Sequence, residues 1–285
     1  MAQKVWMVTG ASRGIGAEIA KAALAAGDNV IATARKVKGL KHLGGGDNVF
    51  AVKMDVTNEE KVKPAVDEAL EHFGRIDVLV NNAGFGLLGA IEEASADEVK
   101  DIYKTNVFGL LNVTRAVLPA MRKQRSGHVV NISSVAGYSS APGWGIYCST
   151  KFAVEGISEA LHGELAPLGI HVTVVEPGYF RTDFLDSSSL QETEGRIEDY
   201  AETVGKMREL AAGRNHQQAG DPRKLGQALV QLVNAAEPPL RLPLGTDALE
   251  RIAAKNKFVE EETAKWKALA SSTDFDEKAM AQVQG

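Results

Sequence analysis

The chain has 285 residues, 44% of them apolar, which is enough to bury the core of one α/β domain, with or without an appendage. A formal net charge of −5, with the lysines and arginines dispersed, argues against nucleic acid and anionic membranes as partners. One cysteine, six scattered histidines, no signal-peptide pattern and no membrane-spanning apolar window lead us to expect a soluble, cytoplasmic protein without a disulfide or a metal site.

The first two thirds of the chain alternate short apolar runs with helical spacings. KVWMVTG (4–10) predicts a strand that ends in a glycine turn, and GAEIAKAALAAG (16–27) predicts the helix that follows. The alternation continues with strands at 29–34, 49–55, 75–84, 128–133 and 171–178, and helices at 58–74, about 106–124 and about 147–167. Because the strands are apolar without strict alternation, we expect a parallel sheet covered on both faces, in a doubly wound α/β architecture.

The alternation of apolar runs and helical spacings ends after Gly178. The segment 183–220 is polar around a predicted helix near 198–212, which suits a mobile lid over a substrate better than a core element. Asp221 and Pro222 predict the start of a helix, and 240–245 a last short strand. We therefore expect a single domain over 1–245 and a C-terminal helical extension and tail over 246–285.

Residues 8–16, VTGASRGIG, fit two kinds of site. As G-x-S-x-G, the stretch could present Ser12 as the nucleophile of a serine hydrolase; as a glycine loop, it could admit the pyrophosphate of a dinucleotide at the N-terminus of a helix. The stretch lies on the first strand, so no earlier loop is available to supply the oxyanion hole of a hydrolase. The context favours the dinucleotide loop, with a purely structural turn as the remaining alternative.

Tyr147 and Lys151 are four residues apart and share one face of the predicted helix. An ammonium there would stabilise a phenolate and lower the pKa of Tyr147 toward the range useful for proton transfer, although an ordinary surface pair has the same spacing. Ser134 follows the strand at 128–133, at the edge where ligands bind in open α/β sheets. Its hydroxyl could donate to a carbonyl oxygen as negative charge develops there. We expect Cys148 to be a small packing residue, because no histidine is near it in sequence to activate it.

TGASRGIG, Asp55, NNAG (81–84), Asn106, Ser134, YCSTK (147–151) and PG (177–178) together resemble, in order and spacing, the short-chain dehydrogenase/reductase family of the compact type. The resemblance runs from about Lys4 to Gly245 and implies a doubly wound Rossmann fold, with a mostly parallel seven-stranded sheet and helices on both faces. It implies that Tyr147 is the general acid/base and that Ser134 polarises the carbonyl. Lys151 would tune the tyrosine and hold the nicotinamide ribose. Asn106, which could otherwise be a helix cap, would organise a water-linked proton path.

The resemblance also implies a nicotinamide cofactor. NAD-selective sheets carry an acidic residue at the end of the second strand, whereas this chain has Ala34 and then Arg35, with Arg13 as a second cation. We therefore expect NADP(H) rather than NAD(H), although Arg35 could merely solubilise the strand end. The residues implied to bind the cofactor are Gly10, Ser12, Arg13, Gly14, Ile15, Gly16, Arg35, Asp55, Val56, Asn81, Ala83, Gly84, Tyr147, Lys151, Pro177, Gly178 and Thr182.

The candidate walls of the substrate pocket are apolar or aromatic: Phe85, Leu87, Leu88, Val135, Tyr138, Trp144, Tyr179, Phe180 and Phe184. They favour a bulky hydrophobic ketone or secondary alcohol, as in the 17β-hydroxysteroid-dehydrogenase-like or carbonyl-reductase-like branch, although the same side chains could pack a core or a subunit contact. We expect an NADP(H)-dependent carbonyl reductase or alcohol dehydrogenase that acts on a small molecule. The family resemblance implies a homodimer or homotetramer, formed through helices around 97–124 and 147–167. The alternatives are a non-catalytic protein that senses NADP(H) and, with less support, a serine hydrolase.

Overall fold

Nine strands and eight α-helices are found in residues 3–275, the part of the chain that the computed structural model describes. The strands are β1 (Val5–Val8), β2 (Asn29–Ala34), β3 (Val49–Lys53), β4 (Val78–Asn81), β5 (Gly86–Leu88), β6 (Gly127–Ile132), β7 (Ile170–Pro177), β8 (Leu190–Glu192) and β9 (Arg241–Leu244). The helices are α1 (Gly14–Ala25), α2 (Glu59–Phe73), α3 (Ala96–Tyr103), α4 (Leu110–Gln124), α5 (Gly145–Leu165), α6 (Lys206–Arg214), α7 (Pro222–Val233) and α8 (Thr246–Ser271).

Seven strands form one sheet in the order β3-β2-β1-β4-β6-β7-β9, and every pair in it is parallel. The strand order reverses between β1 and β4, which opens a crevice at the carboxyl ends of these strands. The predicted doubly wound Rossmann fold is confirmed.

Both faces of the sheet are covered, which explains the continuous apolar strands. Along β1, Met7 packs in the core on the side of α2 and α4, whereas Trp6 and Val8 pack in the core on the side of α1 and α7. All three side chains are fully buried. A strand buried on both faces has no position for a polar side chain, so its sequence shows no alternation.

Asn58 and Asp221 cap the helices that were predicted to begin at these positions. The Asn58 side chain accepts a hydrogen bond from the Lys61 N–H, and Asp221 accepts one from the Arg223 N–H with Pro222 at the first helical position. These side chains satisfy backbone donors that a helix start leaves unpaired.

The predicted helix start near Asn106 is wrong. Helix α3 begins at Ala96 behind a capping box of Ser95 and Glu98, and a π-helical turn over Lys104–Gly109 joins α3 to α4. Asn106 therefore lies in the middle of a continuous helical stretch, in a wide turn of the kind often found at functional sites. The capping-box spacing was visible in the sequence and marked the true start.

The polar segment 183–220 is less helical than predicted. It begins with a short 3₁₀ turn, contributes β8, which pairs in parallel with β5 as a separate small sheet, and forms α6 only from Lys206. A 3₁₀ turn and a π-helical turn, Glu198–Tyr200 and Ala201–Gly205, occupy most of the rest of the predicted helix.

Helix α8 leaves the body of the protein after its first turns. Ala248 is its only fully buried residue, and the side chains from Phe258 onward are exposed. Among residues 3–275, no helix has both the length and the apolar character needed to cross a membrane. The end of the predicted tail, 276–285, lies outside the described residues.

Candidate active site

One cleft of about 600 Å³ opens at the carboxyl ends of the central strands. The predicted site residues that line it are Gly10, Ser12, Arg13, Gly14, Ile15, Arg35, Asp55, Val56, Ala83, Gly84, Ser134, Tyr147, Lys151, Pro177, Gly178 and Thr182. The fold thus gathers residues from seven separate stretches of the chain around one space. Gly16, Asn81 and Asn106 were also predicted, but they do not line the cleft and act behind its walls.

The loop between β1 and α1 is shaped to receive an anion. Gly14 has a φ of +56°, and a Cβ on Gly16 would lie 2.6 Å from the Gly10 carbonyl oxygen, so glycine is required at both positions. Helix α1 begins at this loop with no acidic side chain in its first turn. Its free N–H groups and positive dipole end are therefore available to a phosphate.

The loop after β4 is fastened to the glycine loop. Thr9 Oγ1 accepts hydrogen bonds from the N–H groups of Asn82 and Ala83, at 2.9 and 3.0 Å, and the Asn82 amide donates to the Thr9 carbonyl. Asn82 lines the cleft, so the prediction that Asn81 does so is wrong. The Asn81 side chain is buried and donates to Thr114 and Asn131, which ties β4 to its neighbours behind the cleft.

Asn106 connects the loop after β4 to α5. Its side chain accepts from the Phe85 N–H at 3.0 Å and donates to the Phe85 carbonyl and to Thr150 Oγ1. A Cβ on Gly84 would lie 3.0 Å from Asn106 Oδ1 and 3.8 Å from Lys151 Nζ, so the two side chains are near neighbours. Asn106 is 2% exposed and acts by holding the wall of the cleft in place.

Tyr147, Lys151 and Ser134 meet at the centre of the cleft. Lys151 Nζ donates to the Ile132 carbonyl at 2.9 Å and lies 5.9 Å from the centre of the Tyr147 ring. Ser134 caps the 3₁₀ turn that follows β6 by accepting from the Ala136 N–H, and its hydroxyl lies near the Tyr147 phenol. The shared helix face that the spacing predicted is therefore present, with both side chains buried.

Burial sets the proton affinities of this pair. It raises the pKa of Tyr147 above its usual value, and the nearby Ser134 hydroxyl only partly opposes this. Burial also lowers the pKa of Lys151 from 10.5 to about 8, against the opposing effect of the Glu155 carboxylate. The net lowering of the Tyr147 pKa that we expected beside Lys151 is not found, because desolvation of the phenol dominates.

The two predicted cofactor arginines have different surroundings. Arg13 reaches across the cleft and donates to Ser189 Oγ at 2.8 Å and to the Ser188 carbonyl. Arg35 is exposed at the end of β2, where no acidic residue precedes it in the strand. Asp55 lines the cleft while accepting from the N–H and the hydroxyl of Thr57.

The segment 183–220 forms one wall of the cleft and is fastened to the body at Glu93. This buried carboxylate accepts from Arg208 at 2.5 Å and from the Ile197 N–H at 3.0 Å. Burial alone would raise the pKa of Glu93, but these hydrogen bonds, with one from the Ala90 N–H, lower it to about 2. The Glu93 carboxylate that fastens this segment therefore stays charged at neutral pH.

Six of the predicted substrate-wall residues line the cleft: Phe85, Val135, Trp144, Tyr179, Phe180 and Phe184. The rings of Trp144 and Phe184 lie 5.8 and 5.6 Å from the ring of Tyr147. The prediction is wrong for Leu87 and Leu88, which are buried in β5, and for Tyr138, which bonds to Asn256 instead. Sequence reasoning missed wall residues from distant stretches, among them Leu185, Gln218 and Arg251, and no local motif marked them.

Comparison with known proteins gives a consistent picture. The family model described as short chain dehydrogenase matches residues 4–193. Oxidoreductase BOA17 of Botryotinia fuckeliana is 41% identical over 270 residues, covering 94% of this chain and 98% of that protein. The 3-ketodihydrosphingosine reductase of Bacteroides thetaiotaomicron is 40% identical over 261 residues, covering 90% and 93%. The crystal structure of a short-chain dehydrogenase from Streptomyces avermitilis is 43% identical with a TM-score of 0.90, covering 96% of this chain and 100% of that one.

Proposed function

This chain belongs to the short-chain dehydrogenase family of oxidoreductases, and we propose that it is an NADP(H)-dependent enzyme that interconverts a ketone or aldehyde with an alcohol. The observation that carries the proposal is the convergence of Tyr147, Lys151 and Ser134 on the cleft that also contains the glycine loop. The alternative of a serine hydrolase with Ser12 as the nucleophile has no support from the comparisons, because the matching family consists of oxidoreductases.

The raised pKa of Tyr147 makes it a proton donor in the direction of carbonyl reduction. The phenol stays protonated at neutral pH and can give its proton to the substrate oxygen, while Ser134, beside the same phenol, can donate a hydrogen bond to that oxygen. Lys151, with a pKa of about 8, is largely charged at neutral pH and can hold the ribose hydroxyls. The nicotinamide group, when bound, supplies or accepts the hydride.

The cleft fits a dinucleotide with an extra phosphate. The glycine loop leaves the space that a pyrophosphate needs, and Arg13 and Arg35 both line the cleft, with no acid at the end of β2. A 2′-phosphate would draw Arg13 from its neutral serine partners, because a charged acceptor forms the stronger hydrogen bond. Among solved structures of this fold, one from Burkholderia phymatum (26% identical, TM-score 0.78) holds NAD and ElxO (28%, 0.72) holds NADP.

The aromatic walls favour a bulky, largely apolar substrate. Trp144 and Phe184 flank Tyr147, with Tyr179 and Phe180 further along the cleft. In this proposal the domain spans 1–245, the segment 183–220 closes over the substrate as a lid, and 246–285 is an extension. We also propose a homodimer or homotetramer, because Phe108 and Phe152 are 55% and 45% exposed on the predicted subunit-contact helices.

The function is tested by following NADPH consumption with a panel of ketones. Tyr147→Phe should lower kcat by about 10³-fold and Ser134→Ala by about 10²-fold, with NADPH affinity retained. Full turnover in Tyr147→Phe would overturn the mechanism. Tight NADPH binding without turnover of any ketone would instead favour the non-catalytic sensor.

Cofactor choice is tested by fluorescence quenching with NADPH and NADH. Arg35→Asp should weaken NADPH binding on the order of 10–100-fold and leave NADH binding little changed or improved. Lys41→Asp is the matched control, because Lys41 is exposed on the short 3₁₀ helix Val37–Leu43, which follows Arg35, but does not line the cleft. Equal affinity of the wild type for the two cofactors would refute the arginine argument.

A further inference from the structure

A network of buried charges lies behind the catalytic residues. Arg241 on β9 forms ion pairs with Glu155 and Glu159 on α5 and, at 2.7 Å, with Glu176 on β7. Glu155 and Glu176 are only 5% and 1% exposed. Taking charges out of water is costly, and an apolar cluster of similar volume would be at least as stable, so this arrangement calls for an explanation other than stability.

Glu155 is the member of the network that faces the active site. It lies one helical turn beyond Lys151 on α5, and the two side chains hold consecutive residues at the end of β6. Lys151 donates to the Ile132 carbonyl, and the Ser133 hydroxyl lies beside the Glu155 carboxylate. Ser134, which contacts Tyr147, is the next residue.

The space around Gly137 shows how closely these groups are packed. A Cβ there would lie 2.5 Å from Ser133 Oγ, 2.9 Å from Glu155 Oε1 and 3.0 Å from the Lys151 carbonyl oxygen. Ser133 Oγ and Glu155 Oε1 are both buried, and neither has a hydrogen-bond partner in the described part of the chain. Because an unsatisfied buried polar atom is costly and the two atoms face the same small space, each is the candidate partner of the other.

We propose that Glu155 is a positioning residue of this active site: supported by Arg241, it holds the Ser133–Ser134 turn against α5 and places a negative charge one helical turn from Lys151. The inference rests on the proposed function, since it assigns Glu155 a part in the same reaction. Glu155 acts through Ser134 and Lys151, and it does not line the cleft itself.

The charges around Glu155 determine in which direction its removal would shift the pKa of Lys151. Its neighbours are Lys151 and Glu159 from α5, the Ser133 hydroxyl at the end of β6, Glu176 from β7 and Arg241 from β9. Burial, with the charge of Glu176, raises the pKa of Glu155 above its usual value, although Ser133 and Arg241 oppose this, so its carboxylate is charged on the alkaline side of neutrality. The Glu155 carboxylate in turn opposes the lowering of the Lys151 pKa. A neutral side chain at 155 would let that pKa fall further below about 8.

Glu155→Gln tests the proposal because it removes the charge at nearly constant shape. With NADPH and ketone saturating, kcat should fall, and the alkaline limb of its pH profile should move to lower pH by about one unit, a tenfold change in the charged fraction of Lys151. Glu159→Gln is the matched control: Glu159 pairs with the same arginine from an exposed position and should leave the limb in place. Glu155→Asp, which keeps the charge, should recover the wild-type limb.

A second measurement needs no substrate. Because the folded protein gives up the Lys151 proton at about 8 and the unfolded chain at 10.5, stability should rise with pH across this window. In Glu155→Gln the rise should begin at lower pH, and in Glu159→Gln it should not move. If the wild type reduces no ketone, the proposed function fails while this profile still tests the charge coupling.

The inference is overturned if Glu155→Gln has the kcat, the alkaline limb and the melting profile of the wild type. If Glu155→Gln does not fold, Ser133→Ala takes its place, since it keeps the charge and removes the hydroxyl. A lowered kcat at unchanged KM supports the positioning role, and wild-type values refute it.

Discussion

The two longest helices that the structure describes, α5 and α8, differ in which side chains they bury and which they expose. Helix α5 buries ionisable side chains along its length, with Tyr147, Lys151 and Glu155 each less than 8% exposed. Helix α8 is longer, yet it buries only Ala248 and leaves Trp266 65% exposed. A core normally excludes charges and a surface normally lacks large aromatic groups, so each helix departs from the ordinary pattern in its own way.

The difference distinguishes residues of α5 that serve the reaction from residues of α8 that contact neighbouring loops. The buried charges of α5 cost stability and are retained where a reaction needs them. Helix α8 acts through its first turns, where Asp247 accepts from the Tyr179 N–H at 2.7 Å and Arg251 donates to the Ser139 carbonyl at 2.8 Å. These contacts support the two loops that carry substrate-wall residues. The outer part of α8 contributes nothing to the cleft.

The largest expected effect is at Lys151. Lys151→Met should lower kcat by about 10³-fold, because it removes the charge beside Tyr147, yet it should stabilise the fold by about 1–3 kcal/mol at pH 7. The stabilisation follows from the pKa of Lys151, which burial lowers from 10.5 to about 8. Below pH 8 the buried ammonium costs its full amount, and the cost disappears as the pH rises to 10.5.

Urea unfolding at pH 7 and at pH 10 measures this effect. The difference between variant and wild type should be large at the lower pH and small at the higher one. A variant that is less stable than the wild type at pH 7 would show that the hydrogen bond to Ile132 outweighs the burial of the charge.

A smaller effect is expected at the start of α8. Asp247→Ala removes the acceptor of the Tyr179 N–H, which should raise KM for the ketone about 3–10-fold and cost about 1–2 kcal/mol of stability. Glu250→Ala on the exposed face of the same turn is the control and should leave both quantities unchanged. An unchanged KM in Asp247→Ala would mean that α8 does not shape the substrate loops.

The same contrast explains how much of the fold and of the site could be predicted from the sequence. β2 was predicted with its observed bounds, and α5 to within two residues at each end, because apolar periodicity and glycine turns are local signals. Tyr147, Lys151 and Ser134 could be named because the helix and the strand end that carry them are recognisable one at a time. The fold then had only to place them at the same edge of the sheet.

What could not be predicted depends on tertiary packing. Which of Asn81 and Asn82 faces the cleft depends on where β4 ends, and the pairing of β5 with β8 joins segments about a hundred residues apart. Arg251 reaches the cleft only because α8 folds back after β9. The raised pKa of Tyr147 is a property of burial, which the spacing of Tyr147 and Lys151 does not reveal.

Exposed aromatic groups on both helices allow the contact role to be located. Phe152 on α5 is 45% exposed on the predicted subunit-contact surface, so Phe152→Glu should lower the molar mass measured by light scattering. Trp266→Glu on α8 is the comparison and should leave the mass unchanged. The reverse result would move the subunit contact from α5 to α8.

The smallest effect is expected for stability at Trp266. A side chain that is 65% exposed loses little on truncation, so Trp266→Ala should change the free energy of unfolding by less than about 0.5 kcal/mol. Thermal unfolding at two protein concentrations gives the check. A destabilisation above about 2 kcal/mol that grows on dilution would show that a second copy covers α8, because subunit association makes the melting temperature depend on concentration. The exposed face of α8 would then be an interface, and its contrast with α5 would hold for the single chain alone.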